Sequence, residues 1–61
     1  MPLVTVKMLE GRTLEQKRAM VEKVTQAIVE TLDATPDNVF IDLQDLPNDT
    51  FARNGKLISD Q

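Results

Sequence analysis

The sequence predicts an α/β protein: a single βαβ unit with parallel strands, a short C-terminal strand or hairpin, and a sheet that oligomerisation completes. Three observations support this fold prediction. Two segments with alternating apolar residues flank one long amphipathic segment, and that segment opens with a capping motif. Strands joined through a helix run parallel, with a right-handed crossover. The 61 residues are enough for one domain only, so we treat residues 1–61 as one unit.

Alternating side chains predict the first strand, between Pro2 and Leu9. One face carries Val4, Val6 and Met8, and the other carries Thr5 and Lys7. A repeat of two residues is typical of a strand with one covered face. Gly11 follows in the segment Glu10–Arg12 and can adopt a positive φ, so the strand ends there.

A 19-residue helix is predicted next, from Leu14 to about Leu32. Thr13 and Gln16 have the spacing of a capping box, which indicates where the helix begins. Apolar residues recur at intervals of three, four and seven positions, which predicts one apolar stripe. The stripe contains Leu14, Val21, Val24, Ile28 and Leu32, widened by Met20 and Ala27. Pro36 cannot continue a helix, so residues 33–38 are predicted to form a loop.

The second strand follows the loop, and an irregular tail follows the strand. Val39, Ile41 and Leu43 alternate with Phe40, Asp42 and Gln44. From Leu46 onward no period persists, and we expect a loop with a short strand or hairpin between Phe51 and Ile58. Two strands under one helix leave open edges and a bare sheet face that includes Phe40. Because the chain has no cysteine for a disulfide, self-association is the expected source of stability.

The composition excludes several function classes. Without cysteine or histidine, the chain cannot form the usual nucleophile–base pairs or zinc and iron sites. A net charge of −3 and only two aromatic residues argue against nucleic acid and anionic membranes as partners. No apolar run has the roughly 20 residues of a membrane span, and no signal peptide is recognisable. We therefore expect a soluble cytoplasmic protein.

Several motifs together resemble the 4-oxalocrotonate tautomerase family. The sequence opens Met1-Pro2, and Leu-Glu-Gly-Arg occupies positions 9–12. Glu-Gln-Lys opens the helix at 15–17, Ala-Ile stands at 27–28, Leu-Asp-Ala at 32–34, and a phenylalanine at 51. The resemblance covers essentially the whole chain and includes its length and element order.

The resemblance implies an assembly and a chemistry. Family members pair into four-stranded dimers and commonly form hexamers, so the expected partners are further copies and a small carboxylate substrate. Removal of Met1 exposes Pro2, whose amine moves a proton between carbon positions of an unsaturated 2-hydroxy or 2-oxo acid. Arg12 would stabilise negative charge on the substrate, and Phe51 would keep the site apolar. No cofactor is implied.

The implied base is chemically reasonable. General bases work best when the pKa of the conjugate acid lies near the operating pH. An N-terminal α-amine titrates at about 7.7–8.0, and a proline amine is more basic, so the site has to lower its pKa. Desolvation and a nearby positive charge both do so. In the site that the resemblance implies, Arg12 would supply that charge, and its planar fork of donors also suits a carboxylate.

One position departs from the family pattern and leaves the substrate open. Well-known members carry a second arginine at the start of the second strand, which binds the far carboxylate of a dicarboxylate substrate; here Phe40 stands there. Arg53 is a possible substitute, although its position is apolar in those relatives, and Phe40 itself is a candidate substrate-binding residue. A dicarboxylate such as 2-hydroxymuconate and a monocarboxylate such as an aryl enolpyruvate are both compatible.

Two alternative functions are also compatible with the sequence. A hydratase or dehalogenase on the same scaffold would need a protonated Pro2 and a carboxylate that activates water, for which Asp42 and Asp45 are available. The other alternative is a non-enzymatic oligomerisation module that keeps the fold without the reaction.

Overall fold

The computed structural model describes all residues from Met1 to Gln61 and has the predicted order of elements. The strands and the helix are β1 (Leu3–Leu9), α1 (Leu14–Leu32), β2 (Phe40–Leu46), β3 (Ala52–Arg53) and β4 (Lys56–Leu57), with 3₁₀ turns at Pro36–Asn38 and Ile58–Asp60. The second strand begins one residue later than predicted. The Val39 N–H donates to the Pro36 carbonyl and so belongs to the 3₁₀ turn at Pro36–Asn38. It ends at Leu46, which the sequence had placed at the start of the tail.

The two long strands are parallel, as predicted. Their register pairs Leu3 with Phe40 at one end and Leu9 with Leu46 at the other. Val4 and Val6 are half-buried while Thr5 and Lys7 are exposed, so the predicted alternation of faces in β1 is confirmed.

The helix begins where the capping box places it. The Thr13 side chain accepts a hydrogen bond from the Gln16 N–H at 3.1 Å, and the Gln16 Oε1 accepts from the Thr13 N–H at 2.9 Å. Asp33 ends the helix in the left-handed conformation, with a φ of 56°. The two hydrogen bonds between Thr13 and Gln16 pair backbone N–H groups that the start of a helix otherwise leaves unpaired.

The helix covers one face of the sheet only in part. Its central residues Val21, Val24 and Ile28 are half-buried, whereas Ala27, predicted to widen the stripe, is exposed. The two leucines at the ends of the stripe, Leu14 and Leu32, remain 61% exposed. The apolar stripe is therefore longer than the sheet segment that it can cover within one subunit.

The tail forms the predicted hairpin. Asn54 and Gly55 connect β3 and β4 with φ values of 56° and 78°. Two successive residues with positive φ are typical of the tight type I′ turn, and Asn-Gly is its favoured sequence. The Ser59 N–H donates to the Asn48 carbonyl at 3.0 Å and closes the base of the arm formed by residues 48–59.

The isolated subunit has no interior. None of its residues is buried, and its accessible surface is 4849 Å². A compact monomer of 6.9 kDa exposes about 4000 Å², so the subunit has roughly a fifth more surface than expected. Its radius of gyration is 14.5 Å, against about 10.5 Å for a compact chain of this length. On the bare sheet face, Leu3 and Phe40 are 63% and 48% exposed. No helix in the structure is both long enough and apolar enough to cross a membrane.

Candidate active site

Pro2 lies at the end of the sheet where β1 begins. Its carbonyl accepts a hydrogen bond from the Phe40 N–H at 3.0 Å, which extends the strand pairing by one step and fixes Pro2 beside the start of β2. Pro2 is half-buried, and Met1, attached to its nitrogen, is largely exposed. The two residues line an open depression of about 470 Å³ that the end of α1 and the following loop complete.

The walls of this depression favour positive charge. Asp33 is among the lining residues, and the C-terminal end of α1, which carries the negative end of the helix dipole, faces the same space. Asn38, whose amide donates to the Thr35 hydroxyl at 3.3 Å, lies on the loop side. Asp33 is the only charged side chain in this lining, and its own subunit places no basic side chain beside Pro2.

Arg12 lies at the opposite end of β1. Gly11 turns the chain with a φ of 117°, a conformation that favours glycine, and Arg12 follows directly. The arginine lines a groove of about 270 Å³ between β1 and the start of α1, whose walls include Val6, Met8 and Met20. The two salt bridges in the subunit join Lys17 to Asp45 and Arg18 to Glu15, so Arg12 has no acidic partner.

The structure does not bring Pro2 and Arg12 of one chain together. The seven residues of β1 separate them, and a strand rises by about 3.3 Å per residue, so the two ends lie roughly 20 Å apart. That distance exceeds the reach of an arginine side chain. A site that uses both residues has to take them from different copies of the chain.

The other predicted site residues also divide between the two ends. Phe40 lies at the Pro2 end, paired with Leu3. The arm that carries Phe51 and Arg53 leaves from the Arg12 end, where the Glu10 side chain accepts from the Asn48 N–H at 3.3 Å. Lys56, which pairs with Arg53 in the hairpin, was not among the site residues predicted from sequence. The Asn-Gly turn between the two residues is a known hairpin signal and could have indicated this pairing.

Comparisons with known proteins agree over the whole chain. The family model described as "Tautomerase enzyme" matches residues 2–61. A "Probable tautomerase" of Halalkalibacterium halodurans is 52% identical over 61 residues and is covered completely, as is this chain. The "2-hydroxymuconate tautomerase" of Bacillus subtilis is 52% identical over 60 residues, which are 98% of this chain and 97% of the relative.

Solved structures give the same result. The crystal structure of YwhB, a homologue of 4-oxalocrotonate tautomerase, superimposes with a TM-score of 0.93 at 50% identity and covers 98% of each chain. A heterohexameric 4-oxalocrotonate tautomerase from Chloroflexus aurantiacus gives 0.91 at 27% identity, over 97% of this chain and 95% of that one. A full-length match to the family, together with this shared βαβ fold, shows that the chain belongs to the tautomerase family of isomerases.

Proposed function

We propose that this isomerase, once Met1 is removed, interconverts the enol and keto forms of a small unsaturated 2-hydroxy or 2-oxo acid, with the Pro2 amine as base and acid. The observation that carries the proposal is the position of Pro2, which is fixed at the sheet end with its nitrogen beside an open depression. The "2-hydroxymuconate tautomerase" relatives support this class of substrate.

In the proposed reaction the Pro2 amine takes the proton of the substrate's 2-hydroxyl group. The electron pair left behind forms the 2-oxo group, and the conjugated double bonds shift toward a distant carbon. The protonated amine then delivers its proton to that carbon, so the amine is regenerated and no other reactant is needed. Negative charge develops on the substrate between the two transfers. Arg12 stabilises this charge, since a fixed guanidinium in a desolvated site is an effective anion stabiliser.

The proposed site is assembled from different copies of the chain in a homo-oligomer. The separation of Pro2 from Arg12 along β1 supports this arrangement. No residue of the isolated subunit is buried, and Leu3 and Phe40 on the bare sheet face are 63% and 48% exposed, which favours burial of this face against further copies. The Chloroflexus relative is a heterohexamer, and we propose a hexamer built as a trimer of dimers here.

Assembly would also complete the surroundings of Pro2. A general base needs the free amine, and the depression beside Pro2 contains Asp33 but no basic side chain of its own subunit. Arg12 and Phe51 from neighbouring copies would supply the positive charge and the desolvation that lower the pKa of the Pro2 amine. The base would thus become competent only in the oligomer.

The surroundings of Pro2 are also compatible with one alternative reaction. A hydratase or dehalogenase needs a protonated Pro2, and Asp33 with the helix end would stabilise that form. Titration of the Pro2 nitrogen by ¹⁵N NMR in the assembled protein separates the two functions. A pKa near neutrality supports the tautomerase, and a pKa well above it supports the alternative.

The test of the proposal compares two forms of the protein that differ only in Met1. With Met1 attached, the Pro2 nitrogen is part of a tertiary amide and has no useful basicity. Positioned acid–base groups contribute about 10²- to 10⁴-fold, so the form that starts at Pro2 should be faster by at least that lower factor. Tautomerisation of 2-hydroxymuconate and of an aryl enolpyruvate is followed by absorbance, and intact mass verifies each form. Equal rates for the two forms would refute the role of Pro2.

A further inference from the structure

We infer that Arg53, flanked by Lys56 and held by Gln61, binds the second carboxylate of a dicarboxylate substrate, a contact that Phe40 cannot make. The inference rests on the proposed function and selects one of the two substrate classes that it leaves open.

The hairpin presents two different faces. Ala52 pairs with Leu57 and Arg53 pairs with Lys56. The Ile58 N–H donates to the Phe51 carbonyl at 2.8 Å, which adds a third pair at the base. Side chains alternate along a strand, and directly opposed residues share a face. One face therefore carries the Phe51–Ile58 pair with the two cations beyond it, and the other carries Ala52 and Leu57.

The two cations lie side by side without an acidic partner. The tight turn at Asn54 and Gly55 fixes Arg53 opposite Lys56. Like charges in directly opposed positions destabilise a strand pair. Both salt bridges of the subunit involve other residues, so neither Arg53 nor Lys56 forms a salt bridge within the subunit. An anion bound between the two side chains would relieve the repulsion.

Gln61 orders the arginine of this pair. Its Oε1 accepts from the Arg53 Nη2 at 3.3 Å, while its Nε2 donates to the carbonyls of Arg53 and Lys56 at 3.2 Å each. One amide side chain thus contacts the backbone of both residues and the guanidinium. A guanidinium has five N–H donors, so one contact to Gln61 leaves donors available for a carboxylate.

The order of groups on this face matches a dicarboxylate with an unsaturated chain. Phe51 provides an apolar surface, and Arg53 lies two residues further, about 7 Å along the strand. A 2-hydroxymuconate-type substrate has a carboxylate, a flat apolar chain and a second carboxylate in the same order. With Arg12 on the carboxylate beside the reacting carbons, Arg53 would bind the distal one. An aryl enolpyruvate ends in an uncharged ring and leaves Arg53 without a partner.

The experiment compares two substrates that differ only in the distal carboxylate: 2-hydroxymuconate and its analogue with hydrogen in that place. The readout is the ratio of kcat/KM for the two, measured on Met1-free, assembled protein. Arg53→Met should lower this ratio by about 10- to 100-fold, the range expected for one hydrogen-bonded contact to a charged group. Arg53→Lys should restore part of the ratio, and Gln61→Ala should lower it by a smaller factor. Arg18→Met, which removes an exposed guanidinium from the helix, should leave it unchanged.

Circular dichroism and sedimentation establish that each variant is folded and assembled. If Arg53→Met leaves the ratio within about threefold of wild type, the inference is overturned. An equal loss on both substrates overturns it too, because that result marks a general structural effect. In both cases a wild type that isomerises the substrates leaves the proposed function standing. A wild type that isomerises neither substrate refutes the proposed function, and the inference with it.

Discussion

A mixture of two inactive variants should regain activity if Pro2 and Arg12 of each site belong to different copies of the chain. The first variant is Pro2→Leu with Met1 retained, which lacks a free proline amine. The second is Arg12→Ala, which keeps the amine and lacks the guanidinium. The two ends of β1 are roughly 20 Å apart, so neither chain can complete a site with its own residues.

The expected size of the effect follows from the assembly. In oligomers formed at random from equal amounts of both variants, about one quarter of the sites combine an intact Pro2 with an intact Arg12. Each parent alone should retain about 1% of wild-type kcat/KM or less, the loss expected for one acid–base or charge-stabilising group. The mixture should therefore show roughly 25-fold more activity than the better parent.

The assay denatures the variants together, refolds them, and measures tautomerisation of 2-hydroxymuconate at equal total subunit concentration. Variants that are refolded separately and then combined serve as the control. Sedimentation verifies that all samples assemble to the same size. Activity no greater than the sum of the separate parents would refute a site shared between copies of the chain.

Three further predictions concern single properties of the chain. Arg12→Ala alone should lower kcat/KM by about 10²-fold with an unchanged circular dichroism spectrum, and retention of activity within about threefold would contradict its catalytic role. Sedimentation should find no stable folded monomer at micromolar concentration, because no residue is buried in the subunit, and Phe40→Asp should weaken the oligomer by charging its bare sheet face. Thr13→Ala should lower the free energy of unfolding by about 1 kcal/mol through loss of the capping box, measured by denaturant titration, and an unchanged free energy would contradict the role of the cap.

The sequence determined the elements of this protein because their signals are local. The capping box formed by Thr13 and Gln16 marks where the helix begins, and alternation marks the strands. Because the helix connects the two long strands, the strands run parallel. Short-range patterns of this kind depend on the backbone and on one-sided burial, so they can be read without knowledge of the neighbours. The family, and the candidate roles of Pro2 and Arg12, were likewise readable from motifs along the chain.

Only the tertiary structure decided how the candidate residues are distributed in space. The strand predicted between Pro2 and Leu9 separates Pro2 from Arg12, but the sequence did not show where the turn at Gly11 directs the chain. Because that segment is an extended strand, the two residues lie at opposite ends of the sheet. The structure also brought Gln61 against Arg53 and Lys56, since three hydrogen bonds join positions that no local pattern connects. Long-range contacts of this kind follow from folding, and the sequence patterns near each residue do not contain them.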